Sequence, residues 1–593
     1  MEKGKLKVKA PTWNLDDLYK GVKDPAIEKD LAALKASIDT FVEKYESKVT
    51  TLDSQALALS IQDYESLSER MGRLSSFASL IFAQDMTHKE KASFYQNIQE
   101  KITDLSTPLI FYTLEFNQIA DSTLKSYYSE SPLLSRYKPW IENVRIFKKH
   151  QLNKDLEHVF HELSLPASRN WVRLYDETFA TMTFQYEGKD LSIAQIMNFF
   201  TSANEEERQR SAEAFGARLK KSAPLFTLIL NTLAKEKQIE DKWRQYARPV
   251  SSRNLANNVE DEVVKTLLQS VQSKYPSLSH RYYKLKAKWL GKDKLNYWDR
   301  NAPLPQDTQK KYSWDEAQEI VLAAYHQFCP KMAAIGKEFF DKNWIDAEVR
   351  PGKDNGAFSH PTVPSAHPYI LQNYQGKIWD VMTLAHELGH GIHQVLSAKQ
   401  GYLMADTPLT LAETASIFGE MLTFQILLNQ AKSKEEKKIL LAGKVGDMLN
   451  SIVRQISFSQ FEHEFHDIRK SKELSTEEIN DLWLKTQQES LGPSVVLKDN
   501  YAYYWTYISH FFHVPFYVYA YAFGNCLVNS LYATYQNKLP AFQEKYFSML
   551  EAGGTLHHTE LLSPFSLNAK DPHFWHQGLD LVSEWIDELE DLS

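Results

Sequence analysis

The chain has 593 residues, 43% hydrophobic and 24% charged, a composition that excludes a disordered or fibrous protein and supplies core for two or more lobes. Its net charge of −8 is spread along the sequence, which excludes the basic field that a nucleic-acid or anionic-membrane binder needs. Only Cys329 and Cys526 occur, far apart and outside any CxxC, so neither a disulfide framework nor a cysteine-based zinc site is expected.

The N-terminal MEKGKLKVKAPTWNLDDLY is basic but has no apolar stretch behind it, so no secretory leader is expected and the protein reads as cytoplasmic. From about Leu15 to Trp344, apolar residues recur at spacings of three and four with charge on the other face, the pattern of successive amphipathic helices. The turn signal at Tyr186-Glu-Gly-Lys is the best boundary, which divides the chain into an N-terminal helical lobe, 1–190, and a catalytic helical domain, 191–593. Between Trp344 and Lys377, Gly and Pro punctuate short extended runs and predict a small sheet, in which Pro368 to Asn373 is read as an exposed edge that pairs with an extended peptide. Helical periodicity resumes at Ile378 and runs, with interruptions, to the C-terminus. Tyr501 to Asn537 has no Asp, Glu, Lys or Arg and is long enough to span a membrane, but its Tyr, Phe, His and Asn content favours a buried cleft wall. No membrane, nucleic-acid or obligate protein partner is expected.

The decisive segment is IWDVMTLAHELGHGIHQVL. On a helix His386 and His390, four apart, share a face and can hold one metal ion, while Glu387, rotated by about 100°, reaches a water beside it. Val381, Leu384, Ala385, Leu388 and Ile392 recur around this helix and place it in the core. A third ligand is expected from LTLAETASIFGEML. Glu413 is preferred over Glu420 because Ala412 and Ala415 beside it let two helices approach, which leaves Glu420 or Ser416 to orient a ligand. One Zn²⁺ per chain suits two histidines and a glutamate. Glu387 then acts as general base, and the oxyanion needs a donor, for which YISHFFHVPFYVYAYAFG offers His510 first, then His513, Tyr517, Tyr519 and Tyr521. FEHEFHD, with His463 and His466 only three apart among charges, reads as a solvated helix face.

With these motifs in place, the sequence resembles the oligoendopeptidase F family, relatives of the thimet oligopeptidase and neurolysin group. The likeness runs from PTWNLDDLY through GKDNGAFS, PYILQN, TLAHELGHGIH and LAETAS to HFFHVPFYVYAYAFG, LEAGG and DPHFWHQGLDLVSEWIDELEDL. It implies a mostly α, neurolysin-like helical zincin with a deep substrate channel and a small β element next to the active site, acting as a metalloendopeptidase on short unstructured oligopeptides. Position by position, it implies that His386, His390 and Glu413 are metal ligands and Glu387 the catalytic carboxylate. His510, Tyr517 and Tyr519 fall where the family's oxyanion-assisting residues lie, with His513 and Tyr521 as alternatives. A Taq-type metallocarboxypeptidase and a non-catalytic peptide-binding protein are the competing readings.

Overall fold

The computed structural model describes residues 10–304 and 310–593; residues 1–9, the start of the segment read for a leader, lie outside them. The described chain is mostly α-helical, with one three-stranded and two two-stranded sheets. It divides into two compact units, one of residues 10–148, 310–430 and 538–566, the other of 149–304, 431–537 and 567–593. The break expected at residue 190 is therefore not a boundary. It is the turn of a hairpin joining Phe184–Tyr186 to Lys189–Leu191 inside the second unit. Glu187 and Gly188 take φ of 50° and 76°, the left-handed pair that a two-residue turn between right-twisted strands requires. A turn signal marks a change of direction, and here the change is local.

The first unit opens with the helices Pro25–Tyr45, Ser54–Gln84 and Lys89–Ser106. Asp24 and Asp53 start the first two by accepting from the backbone N–H groups of Ala26 and Ala56. Its later part holds the small sheet and the helices around it. Tyr369–Leu371 is the central strand, parallel to Ile345–Asp346 on one side and antiparallel to Phe358–His360 on the other. The expected free edge at Pro368 to Asn373 is thus paired on both sides, and Tyr369, Ile370 and Leu371 are fully buried. The outer strand is Phe358–His360. Below the sheet, buried Asp346 receives both Arg350 and Lys353, and the Lys353 ammonium also donates to the carbonyls of Glu348 and Gln372. This fully satisfied buried ion cluster fixes the Gly-rich segment against the strands.

The core of the second unit is aromatic: Phe215, Phe226, Phe461, Trp483, Trp505, Phe511 and Phe512 pack between the long Glu205–Trp243 helix and the Gln455–Arg469 and Thr476–Leu491 helices. The uncharged stretch from Tyr501 supplies much of it, as a 3-10 helix Asp499–Tyr507, a short turn His510–His513 and the helix Tyr519–Gln536. Asn529 and Ser530 on that last helix donate to the Gly578 and Phe574 carbonyls of the Pro572–Asp591 helix, which gives both side chains an acceptor inside protein. Among the described residues one helical stretch, Leu409–Asn429, is long and apolar enough to cross a bilayer, and most of it is buried in the first unit.

Candidate active site

Two backbone N–H groups, of Gln375 and Lys377, converge on the Asp380 carboxylate and start the helix Ile378–Ser397 just after Gly376 turns the chain at φ 80°. Its apolar stripe, Val381, Leu384, Ala385, Leu388 and Ile392, is fully buried. The opposite flank carries His386 and His390. Glu413 sits at the break between Leu409–Ala412 and the helix Thr414–Asn429, and its Oε2 lies 3.4 Å from Nε2 of each histidine. Bonds of about 2.0–2.1 Å in a tetrahedral set put neighbouring ligand atoms about 3.3–3.4 Å apart, so the two N···O edges of this cradle have the length found in a zinc site. The donor atoms of all three residues lie within 4.8 Å of one another.

Two of these three side chains are themselves held. Glu420 accepts from His386 Nδ1 at 2.5 Å, which orients the ring with its Nε2 toward Glu413. Ser416 Oγ donates to Glu413 Oε2 at 2.6 Å. Both residues considered for orienting a ligand thus bond a candidate ligand, Glu420 to His386 and Ser416 to Glu413. The helices can meet this closely because position 389 has no side chain: a Cβ there would lie 2.5 Å from the Ala415 carbonyl oxygen and 2.7 Å from Ser416 Cα. On the flanking turn Tyr546 donates to the Thr414 carbonyl and holds the start of the Glu413 helix.

Glu387 is 7% exposed. Burial pushes its carboxyl up to about 7, the charge of His386 opposes this, Glu413 and Glu420 add to it, and a Ser359 N–H to the carboxylate lowers it. Burial also disfavours charge on His386, but the hydrogen bond and charge of Glu420, with Glu413 and Glu387, outweigh it and raise the imidazole to about 9. His390 is held down to about 4, chiefly by burial. The outer strand joins the site here: the Gln394 side chain, one turn beyond His390, bonds both the carbonyl and the hydroxyl of Ser359. Sequence reading missed Ser359 and Gln394, whose polar groups carry no motif. A cavity of about 550 Å³ lies against the same helix, lined by His367, His390, His393, Gln394, Asp406 and Thr407.

The remaining candidates belong to the second unit. His510 Nε2 lies 3.2 Å from the Tyr521 hydroxyl, and the His510, Tyr517 and Tyr521 rings pack with centroids 5.3–5.8 Å apart. His513 points elsewhere, to Asp176 at 2.7 Å, which separates the two histidines. Burial, with the neighbouring His513, lowers the His510 imidazole below its ordinary value. Tyr519 does not join this group. It is fully buried, with its hydroxyl accepting from Asn257 at 2.8 Å, because residues 519 onward are helical and the accessible partner of Tyr517 is four residues on, at Tyr521. FEHEFHD is not a solvated face either. Glu462 and His466 are buried, and the His463 and His466 rings pack on Phe516, while Asp467 is exposed.

A helical domain whose core helix carries HExxH opposite a glutamate from a second helix defines a zincin-type metallohydrolase. Residues 199–581 match the model of peptidase family M3 and residues 115–184 that of oligopeptidase F, so the chain belongs to peptidase family M3, as an oligoendopeptidase F-type metalloendopeptidase. It is 27% identical to oligopeptidase PepF of Bacillus subtilis, over 98% of this chain and 87% of that one. It is also 27% identical to group B oligopeptidase PepB of Streptococcus agalactiae, over 98% and 96% of the two chains. The crystal structure of oligoendopeptidase-F from Enterococcus faecium has the same fold, with a TM-score of 0.72 at 20% identity over 96% of this chain and 98% of that one.

Proposed function

We propose that the protein hydrolyses internal peptide bonds of short, unstructured oligopeptides in the cytoplasm, with one zinc ion per chain held by His386, His390 and Glu413 and with Glu387 as general base. The observation that carries this reading is the cradle: two 3.4 Å edges meeting at Glu413 Oε2, with His386 oriented by Glu420 and Glu413 by Ser416. A zinc ion bound there supplies a Lewis acid beside the scissile carbonyl and brings the pKa of water to roughly 7. Glu387, next to His386 on the helix and in a buried setting, takes the proton of the attacking water. It then returns that proton to the nitrogen of the leaving amine. Ser359 N–H holds the Glu387 carboxylate in place for both transfers. To His510 and Tyr517 we assign donation to the oxyanion, on the chemistry of an imidazole and a phenol grouped within their own unit, with Tyr521 orienting His510. Membership of an endopeptidase family favours internal cleavage over C-terminal trimming.

The test is mass spectrometry of a defined peptide of about ten residues after incubation with wild type and with Glu387→Gln, alongside the metal content of both. Wild type is expected to cut internally, and the variant to lose about 10³-fold in kcat while still holding about one zinc. Release of single C-terminal residues by wild type would move the reading to a carboxypeptidase. An active Glu387→Gln protein would remove Glu387 from its role.

A further inference from the structure

The cavity of about 550 Å³ beside the cradle holds one carboxylate that no cation answers. It lies wholly within the first unit, and its wall includes His390 of the cradle and Ala412, which precedes Glu413. Apolar side chains, among them Ile335, Trp344, Val363 and Val395, form much of that wall, and no lysine or arginine lines it. Most of its polar side chains have partners of their own. Glu338 is ion-paired with Lys342 at 2.7 Å, His367 bonds Asp17 at 2.9 Å, and buried His393 has its Nε2 3.4 Å from the Thr407 hydroxyl. Asp406 differs. Its Oδ1 accepts the Thr407 N–H at 3.1 Å, and the carboxylate makes no other hydrogen bond and no ion pair among the described residues. Solvent reaches this side chain, yet the cavity walls surround it enough that burial raises its carboxyl, against the Thr407 N–H alone.

The loop that carries Asp406 is fixed from behind by the LEAGG segment, Leu550 to Gly554. Gly554 N–H donates to the Met404 carbonyl at 2.8 Å. A Cβ at Gly553 would lie 2.7 Å from that same carbonyl oxygen, and one at Gly554 would press on the Asp406 carbonyl, so the two segments meet only where neither glycine has a side chain. Ala405 N–H closes back on the Gly401 carbonyl at 2.8 Å, and Leu403 N–H donates to Glu65 at 3.2 Å. A lone carboxylate on a rigid loop, in a cavity with apolar walls, suits a cation carried on an aliphatic stem. The stem covers the walls and the cationic head donates to the carboxylate. Lys and Arg side chains have both parts, whereas a peptide's terminal ammonium has no stem.

We propose that this cavity is a substrate subsite in which Asp406 binds the Lys or Arg side chain of a peptide. This rests on the reading of the chain as an oligopeptidase. Because His390 belongs to both the cradle and the cavity wall, the basic residue lies within about three residues of the bond that is cut, at about 3.3–3.6 Å of extended chain per residue.

The test uses the full-length, zinc-loaded protein and N-acetylated, C-amidated fluorescent peptides of about ten residues. Each is uncharged except for one Lys, which moves along the sequence from peptide to peptide, and each is paired with a norleucine peptide that keeps the stem and lacks the charge. Affinities are measured on Glu387→Gln, which binds without turnover, and mass spectrometry of wild-type digests locates the bond cut. With Lys at its preferred position the peptide is expected to bind about tenfold tighter than its norleucine partner, as a charged hydrogen-bond pair implies. That position should fall within about three residues of the cut bond, and adding Asp406→Asn should erase most of the ratio. The ratio is taken within each variant, so partial unfolding does not mimic the effect. Equal affinities of Lys and norleucine peptides at every position, a preference far from the cut bond, or one that survives Asp406→Asn would overturn the subsite and leave the oligopeptidase reading standing. Failure of wild type to cut any of the peptides would instead count against the oligopeptidase reading, and the subsite would fall with it.

Discussion

The cradle of the first unit and the His510–Tyr521 group of the second bring similar side chains together by different means. At the cradle, two donors come from successive turns of one regular helix, and the third arrives on a helix that touches it backbone to backbone at Gly389. Around His510, the three rings come from the turn His510–His513, the bend after it, which holds Tyr517, and the 18-residue helix Tyr519–Gln536, with Phe516 in the left-handed region at φ 60°. The bend is held by the buried hydrogen bond from the Phe516 N–H to Glu462 Oε1 at 2.7 Å, by the Arg253 Nε–H donating to the Pro515 carbonyl at 3.4 Å, and by His463 and His466 packing on the Phe516 ring. Close helix packing makes the first arrangement stiff through many contacts, whereas the second depends on a few contacts at a bend and on which face of a helix a tyrosine occupies. Substitutions should therefore separate them.

The largest expected effect falls on the group's own donor. His510→Ala should lower kcat by about 10²–10³-fold with KM little changed, because a donor to the oxyanion acts in the transition state and not in the bound ground state. Steady-state kinetics on a quenched fluorescent peptide reads this. A rise in KM with unchanged kcat would recast His510 as a substrate-binding residue.

The contact under the bend gives the next effect. Burial holds the Glu462 carboxyl up at about 8, against the Phe516 hydrogen bond and the charge of Arg253, and its Oε2 has no partner. The folded value exceeds the unfolded one of about 4.3, so the stability this neutral acid supports is complete below about pH 4 and is lost as pH rises through about 8. Glu462→Gln keeps an acceptor for Phe516 and cannot ionise. It should flatten that loss and be more stable than wild type at about pH 9 by roughly 1–3 kcal/mol, read from urea unfolding at several pH values. Parallel pH profiles for the two proteins would show that Glu462 is already ionised in the folded state.

At the cradle a single partner should matter less. Glu420→Gln weakens the acceptor that fixes His386, and loss of such a partner lowers metal affinity by about 10–100-fold. Competition with a zinc chelator measures it, and an unchanged affinity would mean that packing at Gly389 orients His386 unaided.

The same contrast explains what could be read from the sequence. The meeting of His386 with His390 was legible because a four-residue spacing puts both on one face of a regular helix, and the approach of Glu413 because Ala415 and its neighbours leave room for another helix. The break at Glu413 and the clash that reserves position 389 for glycine are consequences of that approach and have no local signature. Strand order in the small sheet depends on the Ile345–Asp346 partner, so Pro368 to Asn373 looked like an edge although Tyr369–Leu371 lies in the middle. In FEHEFHD the visible charges, Glu464 and Asp467, are the outward positions, and they masked the inward face of Glu462 and His466. The register of Tyr517, Tyr519 and Tyr521 had no signal because the left-handed residue in the bend before the Tyr519 helix is Phe516 and not a glycine.

That last point yields the finest test of the comparison. If the helix beginning at Tyr519 decides which phenol assists His510, then Tyr521→Phe removes the hydroxyl 3.2 Å from His510 Nε2 and should lower kcat by about tenfold, with stability almost unaltered. Tyr519→Phe removes only the buried hydroxyl that accepts from Asn257, and should cost about 1 kcal/mol of stability while leaving kcat and KM at wild-type values. Kinetics and thermal unfolding of the two variants, run side by side, give opposite patterns if the helical register is right. A Tyr519→Phe protein that folds as well as wild type but turns over slowly would place Tyr519, and not Tyr521, at the reacting centre.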